Sequence, residues 1–339
     1  MTDPSAGGDG AGPGPSQGLP PGPVMRWVLG ARPRTLPAAV VPVAVGTAVA
    51  WWAWRTQAPH FFHCPLDGCP PSLLARFPHG VVWGHALLAL VVALFLQIGT
   101  NYANDYSDGV KGTDADRVGP LRLVGSGLVP ARQVRAAAWT AFGVAGLAGL
   151  MLAAETNEWL VVVGAAAVAA GWLYTGGPKP YGYLGLGEAF VFVFFGLVAT
   201  VGTIYVTVGT FPAAGILAGV AVGLLATALL EANNLRDIAG DTEAGKKTLA
   251  VRLGRDRAGW LYVGSLVGVV LAVLLLTGIW DRWAAVALLA APLARRPVDL
   301  ARSESEGRDL LPMLATTARV QLVAGGLLTA AFVLGGAIR

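Results

Sequence analysis

Charge is what this sequence lacks most. Only 13% of its 339 residues are Asp, Glu, Lys or Arg, about half the share found in soluble domains. With 55% hydrophobic residues and a mean hydropathy of +0.60, the chain has too few polar groups for a soluble surface. The net charge of +4 is too small to suggest a nucleic-acid partner. The alternation of β-barrel strands is missing as well. Instead the apolar stretches are unbroken and about 20 residues long, the length of a membrane helix.

Cysteine is nearly absent. Cys64 and Cys69 lie in HFFHCPLDGCP beside His60 and His63, a spacing that fits no standard zinc pattern. A small disulfide loop and an ordinary loop remain open. The basic start of a secretory signal is missing. Residues 1–23 are rich in Gly, Pro and Ser and too poor in apolar groups to fold, so a disordered tail is expected. No nucleophile, base and acid are arranged as a catalytic triad.

What is present is a series of nine apolar spans: 37–54, 81–103, 134–154, 159–175, 185–207, 211–232, 258–279, 283–294 and 314–337. Nine crossings put the termini on opposite sides. With the N-terminus inside, the inner segments and their flanks hold every Lys and Arg except Arg55, Arg76, Arg282, Arg319 and Arg339. That bias predicts a cytoplasmic N-terminus and an outer C-terminus.

Two acidic stretches stand out against this background, NYANDYSDGVKGTDADR (101–117) and EANNLRDIAGDTEAGKKTLAVRLG (231–254). Each follows an inward-running span, so both fall on one membrane face. Asp105 and Asp108 are three residues apart, and Asp237 and Asp241 four apart, so on helices each pair shares a face. Two carboxylate pairs suit a hard cation such as Mg²⁺, which takes one or two carboxylates plus substrate phosphates. Lys111, Arg117, Arg122, Lys179, Arg236, Lys246 and Lys247 lie close by in sequence and suit the phosphates. Glu188 and Glu231, near the inner ends of spans, are functional candidates as intramembrane acids. The aromatic residues of 174–195 are expected mainly in packing. A cation-coupled transporter is the rival reading, and it predicts charges near the bilayer midplane.

NDYSDGVKGTD (104–114), RVGPLRLVGSG (117–127) and NNLRDIAGDTEAGKKTLAVRLG (233–254) resemble the two aspartate-rich motifs of the UbiA superfamily of intramembrane prenyltransferases. ARPRTLPAAVVPVAVGTA (31–48) resembles that family's N-terminal signature. The resemblance implies an all-α membrane domain over 24–339, nine helices around a central cavity, with the site at the cytoplasmic face of the cell membrane. It implies Mg²⁺ held by Asn104, Asp105, Asp108, Asp237 and Asp241, the four aspartates being catalytic. A polyprenyl diphosphate would be bound by Asn101, Asn104, Lys111, Arg117, Arg122, Lys179, Asn234, Arg236 and Lys246. Gly112 stands where the family often has a third Asp, the nearest acid being Asp114. YTGGPKPYGYLGLGE (174–188) is most similar to the branch that prenylates 1,4-dihydroxy-2-naphthoate with loss of CO₂ and gives demethylmenaquinol. 4-Hydroxybenzoate is the alternative acceptor.

Overall fold

The structure, a computed structural model, describes residues 22–61, 81–112 and 121–338. Among the described residues there are helices and turns and no strand. In chain order the α-helices are α1 Pro23–Gly30, α2 Pro37–Phe61, α3 Trp83–Lys111, α4 Ala131–Glu155, α5 Leu160–Leu173, α6 Gly187–Val208, α7 Ala213–Glu243, α8 Leu249–Leu253, α9 Arg255–Ile279, α10 Arg295–Arg302 and α11 Leu311–Ile338. A 3₁₀ helix, Arg282–Ala294, leads into α10, and another, Gly307–Leu310, leads into α11.

Seven of these segments are long and apolar enough to cross a membrane, so this is a multi-pass membrane protein. The fourth and eighth expected spans are the exceptions. One is the 14-residue α5, about 21 Å long at the rise of an α-helix. The other is the 13-residue 3₁₀ segment. Its tighter, more extended winding rises about 2 Å per residue, which makes it about 26 Å long. The expected tail ends one residue late, because Pro23 already opens α1; its fixed φ suits a first helical turn. Residues 1–21, the Cys64–Cys69 loop, Asp114 and Arg117 lie outside the described residues.

α2 and α7 are the enclosed helices, each with 67% of its apolar window buried, against 28% for α3 and α6. One core joins Val45, Val49 and Trp52 of α2 to Ile204 of α6, Val222 of α7, Leu276 of α9 and Phe332 of α11. A second packs Leu235 of α7 against Tyr262 of α9 and Met313 of α11. A third packs Tyr102 of α3 and Phe142 of α4 around Leu123. α6 and α7 cross at bare backbone, where a Cβ on Gly196 would collide with Gly223 and Gly219. Small residues permit such close approach. α6 is π-helical there, over Phe192–Val198.

Candidate active site

Two helix ends build the site, and each is shaped by its glycines. α3 runs unbroken to Lys111 and stops at Gly112, whose φ of 71° is left-handed. One turn earlier, a Cβ on Gly109 would lie 2.5 Å from Val124. The missing side chain lets residues 121–127 lie against the last turn of α3. α7 ends in a Schellman motif. Gly245 has φ 70°, its N–H donates to the Thr242 carbonyl, and the Lys246 N–H donates to the Asp241 carbonyl. This turn folds Lys246 back over the acids of α7.

The four aspartates are buried. Asp105 is 0% exposed, Asp108 2%, Asp237 8% and Asp241 6%. Burying carboxylates is costly without partners, and each has them. The two oxygens of Asp105 accept the backbone N–H groups of Leu123 and Val124 at 2.8 and 3.0 Å. Asp108 Oδ1 accepts the Tyr183 hydroxyl at 2.6 Å and faces Lys246 Nζ at 3.5 Å. Its Oδ2 lies 3.7 Å from Arg122. Lys246 Nζ also lies 3.8 Å from Asp241 Oδ1, so a single ammonium holds one acid from each helix. Asp237 is gripped at 2.6 and 2.7 Å by the guanidinium of Arg236.

The loop between α5 and α6 ties the halves together. Besides bonding Asp108, Tyr183 accepts the Lys247 backbone N–H at its carbonyl, at 3.0 Å. Lys111 and Lys246 lie over the Tyr183 ring at 4.9 and 4.8 Å from its centre, a cation–π arrangement. Lys111 donates to the Thr175 carbonyl at 2.6 Å, and Thr175 donates to Asn104 Oδ1 at 2.8 Å. Burial pushes the Tyr181 hydroxyl up from its ordinary value; it stays protonated and donates to the Ala170 carbonyl at 2.9 Å.

The other expected residues are less central. Asn101 donates to the Ala31 carbonyl and to Thr35 Oγ1 at 2.8 and 3.0 Å. Its amide therefore holds the turn between α1 and α2, where Arg32 has a φ of 54°. Asn234 donates to Glu188 Oε1 at 2.8 Å. Lys179 and Lys247 are exposed, and Lys179 forms no ion pair among the described residues. Tyr183 and Thr175 were missed as site residues. Their one sequence signal was their place in an inner loop rich in Gly and Pro.

The family follows from the sequence and the fold together. A model of the UbiA prenyltransferase family matches residues 69–316, and the chain belongs to that family. Among its relatives is the 1,4-dihydroxy-2-naphthoate octaprenyltransferase of Mycobacterium tuberculosis, 49% identical over 88% of this chain and 93% of that protein. The protein of the same name from Escherichia coli is 40% identical over 91% and 94%. A UbiA homolog from Archaeoglobus fulgidus, solved bound to GPP and Mg²⁺, superposes with a TM-score of 0.58. It is 16% identical, over 92% of this chain and 98% of that one. The apo UbiA homolog from Aeropyrum pernix K1 also superposes at 0.58, with 15% identity over 87% and 97%. These two likenesses establish the fold.

Proposed function

We propose that this protein transfers a polyprenyl group from its diphosphate to 1,4-dihydroxy-2-naphthoate, with loss of CO₂. The names of relatives at 40–49% identity support the acceptor. The observation that carries the chemistry is Lys246 held between Asp108 and Asp241. It brings the acids of both motifs to one pocket at the helix ends.

Nine crossings, with the N-terminus and the site on the cytoplasmic face of the cell membrane, complete the reading. The near-spanning length of the 3₁₀ segment and the distribution of Lys and Arg support it.

Among the described residues no three His, Cys, Asp or Glu side chains group tightly enough to hold a metal alone. The buried aspartates and Asn104 offer the oxygen donors that Mg²⁺ takes, one or two carboxylates with substrate phosphate completing the shell. Asn104, Asp105 and Asp108 would hold one ion, and Asp237 and Asp241 another. An ion held there would supply charge neutralisation for the departing diphosphate. Lys246, Arg122, Arg236 and Lys111 exchange carboxylate or carbonyl partners for phosphate oxygens, with Arg117 and Lys179 as further donors from the loops. The C1–O bond of the prenyl diphosphate breaks and its electron pair leaves with diphosphate. A ring carbon of the acceptor supplies the pair for the new C–C bond. The carboxylate leaves as CO₂ and the ring regains aromaticity. The buried helix ends orient the partners and keep water from the allylic cation.

The test is prenylation of dihydroxynaphthoate in membranes, with and without Mg²⁺, comparing wild type with Asp237→Asn. The variant is expected to lose about 10²–10³-fold in turnover. Near-normal turnover, or a preference for 4-hydroxybenzoate, overturns the reading.

A further inference from the structure

Two buried carboxyls remain once the network of aspartates and bases is complete. Glu231 is 4% exposed and Glu188 8%. Glu231 Oε1 accepts the Ser265 hydroxyl at 3.0 Å, and Glu188 Oε1 accepts Asn234 Nδ2 at 2.8 Å. Among the described residues neither forms an ion pair. The second oxygen of each is buried without a hydrogen-bond partner, and so is Thr227 Oγ1.

These groups sit on the working face of the molecule. Thr227, Glu231, Asn234, Asp237 and Asp241 follow one another at steps of four, three, three and four residues, which places them on one side of α7. Asn234, three residues on from Glu231, bonds Glu188. The aspartates occupy the helix-end part of this stripe, and Glu231, with Glu188 of α6 beside it, lies deeper in the bundle. Glu231 is about 15 Å along the helix from Asp241. That places the glutamates inward of the diphosphate site, where the reacting end of a prenyl chain would lie.

A carboxyl oxygen left buried and unmatched is costly. The stripe calls for a ligand that brings hydroxyl donors. We propose that Glu188 and Glu231 recognise the aromatic acceptor by taking hydrogen bonds from the two ring hydroxyls of a dihydroxyaromatic acid. Glu231 takes the hydroxyl farther from the acceptor's carboxylate, and Glu188 takes the nearer one. The carboxylate then faces outward along α7 towards Arg236 and Lys246. This rests on the prenyl-transfer reading above and adds a basis for choosing the acceptor. A ring with a single hydroxyl leaves one buried oxygen unmatched, the strongest form of rejection a hydrogen-bonding pocket can exert.

The experiment deletes the group on each side of the hydrogen bond. Wild type, Glu231→Gln and Glu188→Gln, as full chains in lipid nanodiscs, are titrated calorimetrically without prenyl diphosphate. The acceptors are 1,4-dihydroxy-2-naphthoate and 1-hydroxy-2-naphthoate. Gln keeps Oε1 for Ser265 or Asn234 and puts an amide N–H where the free oxygen was, so the fold is preserved. Glu231→Gln is expected to weaken the dihydroxy acid roughly 10-fold, the scale of one buried hydrogen bond lost to a mismatched donor. It should leave the monohydroxy acid and the KM for prenyl diphosphate unchanged. Glu188→Gln should weaken both acids. Equal weakening of both acids by Glu231→Gln, no weakening at all, or a change confined to prenyl diphosphate overturns the proposal. Because binding is read without turnover, a wild type that never prenylates the naphthoate sinks the functional reading, while calorimetry still decides the recognition.

Discussion

The C-terminal end of α3 and the C-terminal end of α7 carry equivalent acid pairs, held by different means. Asp105 on α3 is fixed by two backbone N–H groups, and Asn101 and Gln97 bond the turn before α2. On α7, Asp237 and Asp241 are paired with Arg236 and Lys246. Backbone donors cannot leave when a ligand arrives, whereas long basic side chains can swing from carboxylate to phosphate. The α3 half is thus a fixed wall and the α7 half an adaptable one. Asp108 belongs to both, since its partners are Tyr183, Arg122 and Lys246.

The sharpest way to break the comparison is Lys246→Gln, which removes the cation shared by the two halves. Transfer rate is expected to fall about 10²-fold, with a rise in the KM for prenyl diphosphate measured in the same assay. If the rate falls and that KM stays put, Lys246 does not move to the phosphates.

Tyr183→Phe is a smaller perturbation. It keeps the ring between Lys111 and Lys246 and deletes only the hydroxyl on Asp108. The loss should be about 1 kcal/mol, roughly five-fold in kcat/KM. An effect as large as that of Lys246→Gln would mean that the loop between α5 and α6, more than α7, organises Asp108.

Asn101→Ala should affect activity least. Its contacts predict about 1–3 kcal/mol of lost stability from unpaired polar groups in the turn between α1 and α2, read as a lower thermal midpoint. The KM for prenyl diphosphate should not change; a rise would return Asn101 to the diphosphate-binding set.

The acids were legible because helical spacing is a local property. Asp105 with Asp108, and Asp237 with Asp241, share faces by residue count alone, and both helices continue past their acid pairs as that spacing required. The partners were less legible. Arg122, Arg236 and Lys246 were expected as phosphate donors, and the structure adds that each also balances an aspartate. Lys179 looked equivalent in the sequence and is exposed. Asn101 looked like a ligand-facing group, and its amide is committed to a turn 66–70 residues away. Tyr183 could not be told from packing aromatics, because its importance comes from Lys111 at the end of α3 and Lys246 in the turn after α7. The span count strained at α5, an α-helix of only 14 residues, and at Arg282–Ala294, where hydropathy does not distinguish an α-helix from a 3₁₀ helix.

By itself the sequence determined a membrane bundle with two acidic helix ends, because hydropathy, charge bias and 3- or 4-residue spacing act within single segments. Only the tertiary structure decided which base meets which acid and which carboxyl oxygens stay unmatched. Those depend on how closely segments apart in the chain approach, and that is set where glycines bare the backbone, as Gly109 does to the Val124 side chain and Gly196 to Gly223.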